Sequence, residues 1–431
     1  MSDQVNLPAQ EREHEEAAQQ QHGLIGISDK GEVHQHSTHP DAQWFETAGL
    51  GLFIHWNMSS VHGGIDISWS MIVNTSWDQE YEGRNKVSPT EYWGLADSFN
   101  PQETDMVKWL SAAKKAGFTY AIFTTKHHDG YTMWPSKYST LGTHTHMKSR
   151  DFVKEYVEAC RTVGLKVGLY FSVPDWHIDR DYMSFDAKSP SNRVKSEDHK
   201  HYYYYACKNQ TLELLTQYGK IDMIWFDGSY EKEFLSMEEL RKLQPGILVN
   251  NRAHRDGDFD TCECNFPDRR FLDWWECLQI WNNNSWGYQK PEGYKPTSWA
   301  LSWVSKTRAW GGIPVLNCAP RPDGQLPDSY YERMRELEGW MKVNGEAIYQ
   351  TKGGPWPEQC SLPVTVSNNK WYVFFIDGEQ SVQIEQERLP KKVYMLDGGQ
   401  EIIFTSEGNR IRIELPKPIK HNLTPVVVIE W

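Results

Sequence analysis

The sequence contains no apolar run long enough to cross a membrane, although 39% of its 431 residues are hydrophobic. A membrane-spanning helix needs about 20 consecutive apolar residues, so we expect no membrane partner. Basic residues are also in deficit: 45 lysines and arginines stand against 58 aspartates and glutamates, which leaves a net charge of −13. Because nucleic-acid binding relies on cationic side chains, we expect no nucleic-acid partner either.

Cysteine is scarce, with seven residues in the chain. Seven are too few for a disulfide scaffold in a chain of this length. Cys262, Cys264 and Cys277 lie close together in sequence, but no fourth cysteine or paired histidine follows at the spacing of a zinc site. We therefore predict that these cysteines bind no metal.

The N-terminal region lacks the basic segment, the apolar segment and the cleavage site of a secretory signal peptide. We therefore expect a cytoplasmic protein, or a secreted or periplasmic one if a leader has been removed. Residues 1–40 are polar and rich in Gln, Glu and His, with no sustained apolar period. This composition predicts a mobile leader, in which His34 and His36 would be solvated.

Aromatic residues, by contrast, are abundant: the chain has 20 tryptophans and 21 tyrosines. Flat aromatic rings stack on the apolar faces of sugar rings, so this composition favours a protein that binds carbohydrate. An aromatic-rich core is the alternative explanation, and composition alone leaves both open.

Short apolar runs alternate with helical patterns through residues 41–350. This alternation predicts a parallel sheet with crossover helices, and the length of the segment fits a (β/α)8 TIM barrel. We predict strands at residues 50–56, 118–124, 165–171, 221–226, 246–250, 271–280, somewhere within 297–305, and 312–317. We predict helices at residues 104–116, 151–163, 198–218, 237–243 and 328–344.

The pattern changes after residue 350, where short β-rich runs are separated by turn residues and no good helix is visible. These runs predict a small antiparallel β-sandwich. They lie at residues 362–366, 370–376, 392–395, 401–404, 410–415 and 426–431. The predicted organisation is therefore a leader (1–40), a catalytic barrel (41–350) and a C-terminal sandwich (351–431).

The fourth predicted strand ends directly at Asp227, and Gly228 allows the backbone to turn sharply there. An acid in this position is either the cap of the following element or a catalytic carboxylate. Other apolar runs in this chain also end in polar residues, and the strand ends of a barrel line one active site. This pattern favours a catalytic role for Asp227.

Six motifs at or near predicted strand ends follow one another between residues 53 and 320. They are Phe53-Ile-His-Trp56, Thr125-Lys-His-His-Asp-Gly130, Gly168-Leu-Tyr-Phe-Ser172, Trp225-Phe-Asp227, Ser285-Trp-Gly-Tyr288 and Gly312-Ile-Pro-Val-Leu-Asn-Cys-Ala-Pro320. In this order they resemble glycoside hydrolase family 29, the retaining α-L-fucosidases. The resemblance covers roughly Trp44 to Tyr349, and the β-rich C-terminal region also fits this family.

The resemblance implies hydrolysis of a fucosylated glycan or glycoside in two displacement steps, without a metal or an organic cofactor. Asp227 would be the nucleophile, and Glu263 is favoured as the acid/base because family members place that acid after an Asp-Phe-x-Thr-x segment. Glu276 is a rival, since burial among its apolar neighbours would also raise the pKa of its carboxyl. A loop acid such as Asp78 or Glu80 is a third candidate.

The resemblance also implies which residues recognise the sugar. Its hydroxyls would be bound by His55, Trp69, His127, His128, Tyr170 and Arg252, and Glu276 would hydrogen-bond inside the site if it is not the acid. Its methyl group would pack on Phe53, Trp225 and Trp286. Two residues depart from the family pattern: Ser68, with Asp66 before it, stands where some members carry an acid, and Asn57 stands where glycine is common.

Two other functions fit the same residues. One is a retaining hydrolase of the same barrel type that acts on another sugar, such as an α-galactoside. The other is a catalytically inactive module that only binds fucose, although such a module has no need of both Asp227 and Glu263. We therefore predict a retaining exo-α-L-fucosidase, and we make no prediction of its oligomeric state.

Overall fold

The computed structural model describes residues 36–71, 87–178, 197–228, 234–252, 256–283, 285–416 and 423–431. Most of the predicted leader lies outside these residues, as do His34 and the candidate loop acids Asp78 and Glu80. Within this part of the chain, no helix is both long enough and apolar enough to cross a membrane.

In the described residues, eight parallel strands form one sheet that curls round on itself. They are β1 (Gly51–Ile54), β2 (Tyr120–Lys126), β3 (Lys166–Ser172), β4 (Met223–Asp227), β5 (Leu248–Val249), β6 (Asp260–Glu263), β7 (Trp275–Ile280) and β8 (Ile313–Cys318). The sheet order is β5-β4-β3-β2-β1-β8-β7-β6, and a parallel bridge between Asn250 and Phe259 joins the two outer strands. This arrangement confirms the predicted barrel-type α/β fold.

Helices alternate with these strands. They are α1 (Pro89–Gly94), α2 (Met106–Lys115), α3 (Thr143–His146), α4 (Phe152–Val163), α5 (Glu197–Gln217), α6 (Met237–Leu243), α7 (Thr297–Ala309) and α8 (Asp328–Asn344). The side chains of Asp105 and Asp151 accept hydrogen bonds from the backbone N–H groups of Lys108 and Lys154, and so cap the starts of α2 and α4. Gly164, at φ 73°, ends α4 in the left-handed conformation that glycine adopts most easily.

Short 3₁₀ helices lie in the connections, and three of the six in the described residues lie between β1 and α2. Their bounds are Pro40–Ala42, Phe45–Thr47, Met58–Val61, Ile67–Met71, Leu95–Ser98 and Gly345–Ala347. The long connection after β1 therefore has structure of its own, as expected for a long loop in a compact domain.

The predicted seventh strand within residues 297–305 is wrong, because this segment belongs to helix α7. Its buried residues Ala300, Leu301, Val304 and Arg308 recur at helical spacing and form one face. The true sixth strand, β6, is the four-residue segment Asp-Thr-Cys-Glu at 260–263. A search for apolar runs misses β6 because it is short and mostly polar.

The chain is already packed against the barrel at His36, within the predicted leader of residues 1–40. The His36 ring stacks on Trp274 with 3.9 Å between ring centroids, and its Nδ1 lies 3.1 Å from Asp273. The backbone N–H of Ser37 donates to Asp258 at 2.7 Å. The prediction of a solvated His36 is therefore wrong.

The C-terminal region consists of two antiparallel sheets. Its strands are β9 (Lys352–Gly353), β10 (Val364–Ser367), β11 (Lys370–Phe374), β12 (Ser381–Glu385), β13 (Lys392–Met395), β14 (Phe404–Glu407), β15 (Arg410–Glu414) and β16 (Val426–Glu430). The sheet orders are β13-β16-β11-β10-β9 and β12-β15-β14. Strand β12 was not among the predicted runs.

Alternating residues give the larger sheet two buried faces. On β16, Val426 and Val428 pack with the barrel core, whereas Val427 and Ile429 join the core of the sandwich. This alternation is the period of two that a β-strand requires. The sandwich therefore packs directly against the barrel through an apolar face of its larger sheet.

Candidate active site

The carboxyl ends of the barrel strands converge on one pocket. Asp227 is the last residue of β4 and Glu263 is the last residue of β6, and in a barrel such ends meet at one face. The pocket encloses about 240 Å³, counting the space at its mouth. It is lined by Phe53, His55, Trp69, His127, Tyr170, Trp225, Asp227, Glu263, Leu278 and Trp286. Most of the predicted site residues are thus brought together here.

The two oxygens of the Asp227 carboxylate are held by different donors. Oδ1 accepts the backbone N–H of Gly228 at 2.8 Å and lies 3.0 Å from the Arg252 guanidinium. Oδ2 accepts the hydroxyl of Tyr170 at 2.7 Å. Burial raises the pKa of Tyr170 well above its usual value, so this hydroxyl keeps its proton. The carboxylate is therefore fixed in one orientation at the wall of the pocket.

Arg252 connects the two acids of the pocket. Its second terminal nitrogen contacts Glu263 Oε2 at 2.6 Å, and its guanidinium lies over the Trp225 ring at 4.5 Å from the centroid. Burial alone would lower the pKa of Arg252, but the Asp227 and Glu263 carboxylates outweigh burial and raise it. The single positive charge of Arg252 therefore stabilises both buried carboxylates.

The hydrogen-bond network fixes the proton position on His55. The Nδ1 atom of His55 lies 2.6 Å from Asn317 Oδ1, while Asn317 Nδ2 donates to Asn282 Oδ1 and to the carbonyl of Trp286. Since Asn317 Oδ1 is an acceptor, Nδ1 of His55 carries the proton. Burial lowers the pKa of His55 to about 4, so the neutral ring keeps Nε2 as an acceptor.

His128 is oriented in a similar way by a serine. Ser172 donates its hydroxyl proton to the carbonyl of Pro174, so its oxygen accepts Nδ1–H of His128 at 2.5 Å. Burial lowers the pKa of His128 to about 4 even though Asp227 opposes the shift. The Nε2 atom, 3.7 Å from Asp227 Oδ2, is thus left without a proton.

His127 and Trp69 complete this side of the site. The Nδ1 atom of His127 contacts Ser68 Oγ at 2.5 Å, and burial lowers the pKa of His127. The Trp69 ring meets the His128 ring edge-on, with 4.8 Å between centroids. Ser68, which departs from the family pattern, therefore reaches the site through His127.

The other departures have structural roles. Asp66 accepts the hydroxyl of Ser285 at 2.6 Å and the backbone N–H of Trp286 at 2.9 Å, which holds the loop that carries this pocket residue. Asn57 donates to the buried carboxyl of Asp129 at 2.6 Å. The loop after β1 is thus anchored to the segment that carries His127 and His128.

Glu276, unlike Glu263, does not line the pocket. It is fully buried inside the barrel, where Oε1 accepts Trp225 Nε1 at 2.5 Å and Oε2 accepts the Tyr120 hydroxyl at 2.9 Å. Burial raises the pKa of Glu276 to about 7, although both hydrogen bonds oppose the shift. Glu276 therefore holds the Trp225 ring in place from inside the barrel.

Leu278 is the pocket residue that the sequence reading missed. It lies on β7 two residues after Glu276, on the same face of the strand, and pairs in register with Glu263. Glu276 and Leu278 are two residues apart, as residues on one face of a strand are. This signal could not be used from the sequence, because it needs the strand register and the strand was predicted at 271–280 instead of 275–280.

Glu276→Gln should make stability less dependent on pH. The pKa of an unfolded glutamate is about 4.3, whereas that of folded Glu276 is about 7. The stabilising contribution of the protonated carboxyl is therefore complete below the unfolded pKa and is lost as the pH rises through 7. Between pH 5 and pH 8, the free energy of unfolding measured in urea should fall by about 2–3 kcal/mol more for the wild type than for the variant. An equal loss in both proteins would contradict this account.

Comparison with known families gives one extended match. The family model described as Alpha-L-fucosidase matches residues 19–346. Tissue alpha-L-fucosidase of Homo sapiens is 30% identical over 369 residues, which cover 77% of this chain and 73% of the human protein. Tissue alpha-L-fucosidase of Macaca fascicularis is 29% identical over 370 residues, which cover 77% of this chain and 73% of the macaque protein.

Solved structures match over almost the whole chain. Alpha-L-fucosidase isoenzyme 1 from Paenibacillus thiaminolyticus has a TM-score of 0.75 at 26% identity, covering 91% of this chain and 98% of its own. A family 29 alpha-L-fucosidase from Bacteroides thetaiotaomicron, trapped as a covalent intermediate with 2-fluoro-fucosyl fluoride, has a TM-score of 0.74 at 25% identity. That match covers 94% of this chain and 99% of the Bacteroides chain.

Proposed function

The chain belongs to the α-L-fucosidase family, glycoside hydrolase family 29, and on this premise we propose that it removes single terminal α-L-fucosyl residues from glycans or glycosides. One observation supports Asp227 and Glu263 as the two acids of this reaction. Both line one small pocket, and the Arg252 guanidinium contacts both of them. The pocket lies at the ends of the barrel strands, and its two acids and its aromatic rings suit the recognition of one sugar residue at a chain terminus.

In the first step, Asp227 attacks the anomeric carbon and forms a fucosyl ester, while Glu263 donates a proton to the departing glycosidic oxygen. In the second step, Glu263 takes a proton from water, which attacks the same carbon and releases Asp227. Retaining enzymes hold the two carboxyl groups about 5–5.5 Å apart. The span of one guanidinium with a contact at each side suits this arrangement, as does the covalent intermediate trapped in the Bacteroides relative.

The charge balance of the pocket assigns the proton before the first step. With both acids ionised, Asp227, Glu263 and Arg252 carry one net negative charge, and two like charges in one buried site disfavour each other. One proton neutralises the cluster. We place it on Glu263, because the Asp227 oxygens already accept hydrogen bonds from Gly228 and Tyr170 and lie next to the Arg252 charge. The resting site then holds one nucleophile and one acid.

The neutral histidines supply hydrogen-bond acceptors for the sugar. His55 presents Nε2 because its Nδ1–H is committed to Asn317, and His128 presents Nε2 because its Nδ1–H is committed to Ser172. Each can accept a proton from a sugar hydroxyl. A sugar that places one hydroxyl at each of these two nitrogens is therefore bound in preference to a sugar that lacks either hydroxyl.

A chromogenic aryl α-L-fucoside tests the proposed function directly. We expect hydrolysis with α-L-fucose as the first-formed anomer, measured by NMR before mutarotation, and no hydrolysis of an aryl α-D-galactoside. Turnover of the galactoside instead would identify a hydrolase of the same barrel type on another sugar. Fucose binding without turnover of either glycoside would identify an inactive binding module.

Fucose should be preferred to L-galactose, its 6-hydroxylated analogue, because Phe53, Trp225 and Trp286 form an apolar wall together with Leu278. Burying the C6 methyl contributes on the order of 0.8 kcal/mol, and an unpartnered hydroxyl at the same wall costs roughly 1–3 kcal/mol. The sum corresponds to about 30- to 1,000-fold in kcat/KM, with the lower half expected because apolar pockets reject an added hydroxyl weakly.

Trp286→Ser should shrink this preference, mainly by slowing the fucoside. Trp299→Ser, on helix α7 and outside the pocket wall, is the matched control and should leave the ratio unchanged. Equal kcat/KM values of the wild type on aryl α-L-fucoside and aryl α-L-galactoside would show that these residues form no methyl pocket.

A further inference from the structure

Three buried side chains at the pocket, of which His127 and Asp227 line it, present ligand atoms of the kind that bind transition metals. One ring nitrogen each from His127 and His128 and one carboxylate oxygen of Asp227 all lie within 4.8 Å of one another. Imidazole nitrogen and carboxylate oxygen are ordinary ligands of zinc, at distances of about 2.0–2.2 Å. Three such atoms with room for a water or an anion as the fourth ligand form an open tetrahedral site.

His128 contributes an independent observation. Its Nε2 atom is buried and, among the described residues, makes no hydrogen bond. The proton of the ring is on Nδ1, where Ser172 holds it, so the Nε2 lone pair points outward. A hydrogen bond to the distal nitrogen is the usual support of a histidine that binds a metal, and a buried atom without a partner costs free energy.

The distances suit a small ion. Two ligands of a tetrahedral ion at about 2.1 Å are roughly 3.4 Å apart, and His128 Nε2 lies 3.7 Å from Asp227 Oδ2. The remaining atoms are up to 4.8 Å apart, so they must approach each other by up to about 1.4 Å to bind the ion. Arg252 contacts Asp227 through the other oxygen, Oδ1. Its charge weakens cation binding without blocking the ligand atom.

We propose that His127, His128 and Asp227 bind one divalent transition-metal ion, such as Zn²⁺, and that the ion inhibits the enzyme reversibly. The inhibitory part rests on the proposed role of Asp227, because a carboxylate that is bound to a metal cannot attack the anomeric carbon. The ion also occupies two imidazoles that face the sugar site. Metal and fucose therefore exclude each other.

The ligand set also sets the metal preference. Imidazole suits Zn²⁺, Cu²⁺ and Ni²⁺, with affinity rising toward Cu²⁺. Mg²⁺ and Ca²⁺ prefer oxygen ligands. We therefore expect inhibition by Cu²⁺ and Zn²⁺ at concentrations where Mg²⁺ and Ca²⁺ have no effect.

Co²⁺ provides a readout that does not depend on turnover. Full-length enzyme, treated with EDTA and dialysed, should develop the visible absorption of nitrogen-coordinated Co²⁺ with a stoichiometry of one. Zn²⁺ should bleach this absorption. L-Fucose should raise the apparent Kd for Co²⁺ in proportion to its own concentration.

His127→Phe should raise the Kd for Co²⁺ at least tenfold, the order of loss seen for metal-site partners. Cys264→Ser is the control for a rival thiol site, since Cys264 directly follows Glu263, and it should leave the Kd unchanged. Circular dichroism checks that each variant is folded. If His127→Phe does not fold, the competition between fucose and Co²⁺ in the wild type carries the test.

The proposal is overturned if wild-type enzyme shows no Co²⁺ absorption, if His127→Phe keeps it, or if Cys264→Ser loses it. Co²⁺ binding in an enzyme that does not hydrolyse fucosides would leave the metal site standing and refute the proposed function. Fucosidase activity that Zn²⁺ does not affect would refute the inhibitory site and leave the proposed function intact.

Discussion

Asp227→Ala should lower kcat on an aryl α-L-fucoside by at least about 1,000-fold, which is a barrier increase of about 4 kcal/mol. Without the carboxylate no fucosyl ester forms, and water has no activated route to the anomeric carbon. The fold should survive, because Asp227 lies at a strand end and Arg252 keeps its contact with Glu263 after the change.

Azide should partly restore turnover of this variant. The small anion can enter the space vacated by the carboxylate and attack the anomeric carbon, giving a β-fucosyl azide as the aryl oxide leaves. Asp222→Asn is the matched control, since Asp222 lies at the opposite end of β4 and binds Lys166 and the backbone N–H of Val167. It should lower stability while kcat stays near that of the wild type. Retention of more than about a tenth of wild-type kcat by Asp227→Ala, a difference of only about 1.4 kcal/mol, would refute the assignment.

Glu263→Gln should show a strong dependence on the leaving group. General acid catalysis contributes about 100- to 10,000-fold, and a sugar alkoxide needs the proton, whereas an aryl oxide of low pKa departs without it. We therefore expect kcat/KM to fall by that factor on fucosyl disaccharides and by less than about tenfold on an activated aryl fucoside.

Glu276→Gln is the matched control for this experiment, because it makes the same chemical change to the rival acid. Glu276 lies inside the barrel with its oxygens on Trp225 and Tyr120. Its loss should therefore change both classes of substrate by similar factors. A leaving-group dependence at Glu276 with none at Glu263 would reverse the two roles.

Much of this site could be predicted because a barrel places strand ends together whatever the details of its helices. Asp227 is recognisable as a polar residue that ends a buried apolar strand, and the same reasoning finds His55 after β1 and His128 after β2. These predictions need only the end of each strand. They do not depend on how neighbouring strands pair.

The ends of the predicted strands could not decide whether Glu263 or Glu276 is the acid. In the sheet, Glu263 pairs with Leu278, whereas Glu276 pairs with Thr261. Glu276 is thus two residues, or about 6.6 Å, deeper in the barrel than Glu263. Strand register decides which acid reaches the pocket, and β6 gives no apolar signal from which its register could be predicted.

Helix α7 illustrates a second limit. Trp299, Leu301 and Trp303 alternate with smaller residues in the segment predicted as a strand, which is the pattern of a strand. Ala300, Leu301 and Val304, which are buried in α7, recur instead at the spacing of a helix. The contact of α7 with β8 and the sandwich decides between the two. Such tertiary contacts are not visible in a local pattern.

The most direct test of the central claim is to identify the residue that carries the glycosyl ester. The wild-type enzyme is incubated with 2-fluoro-fucosyl fluoride, digested with a protease, and its peptides are sequenced by mass spectrometry. The account predicts one labelled peptide, with the fucosyl group on Asp227. A label on Glu263, on Glu276 or on any other residue would contradict it.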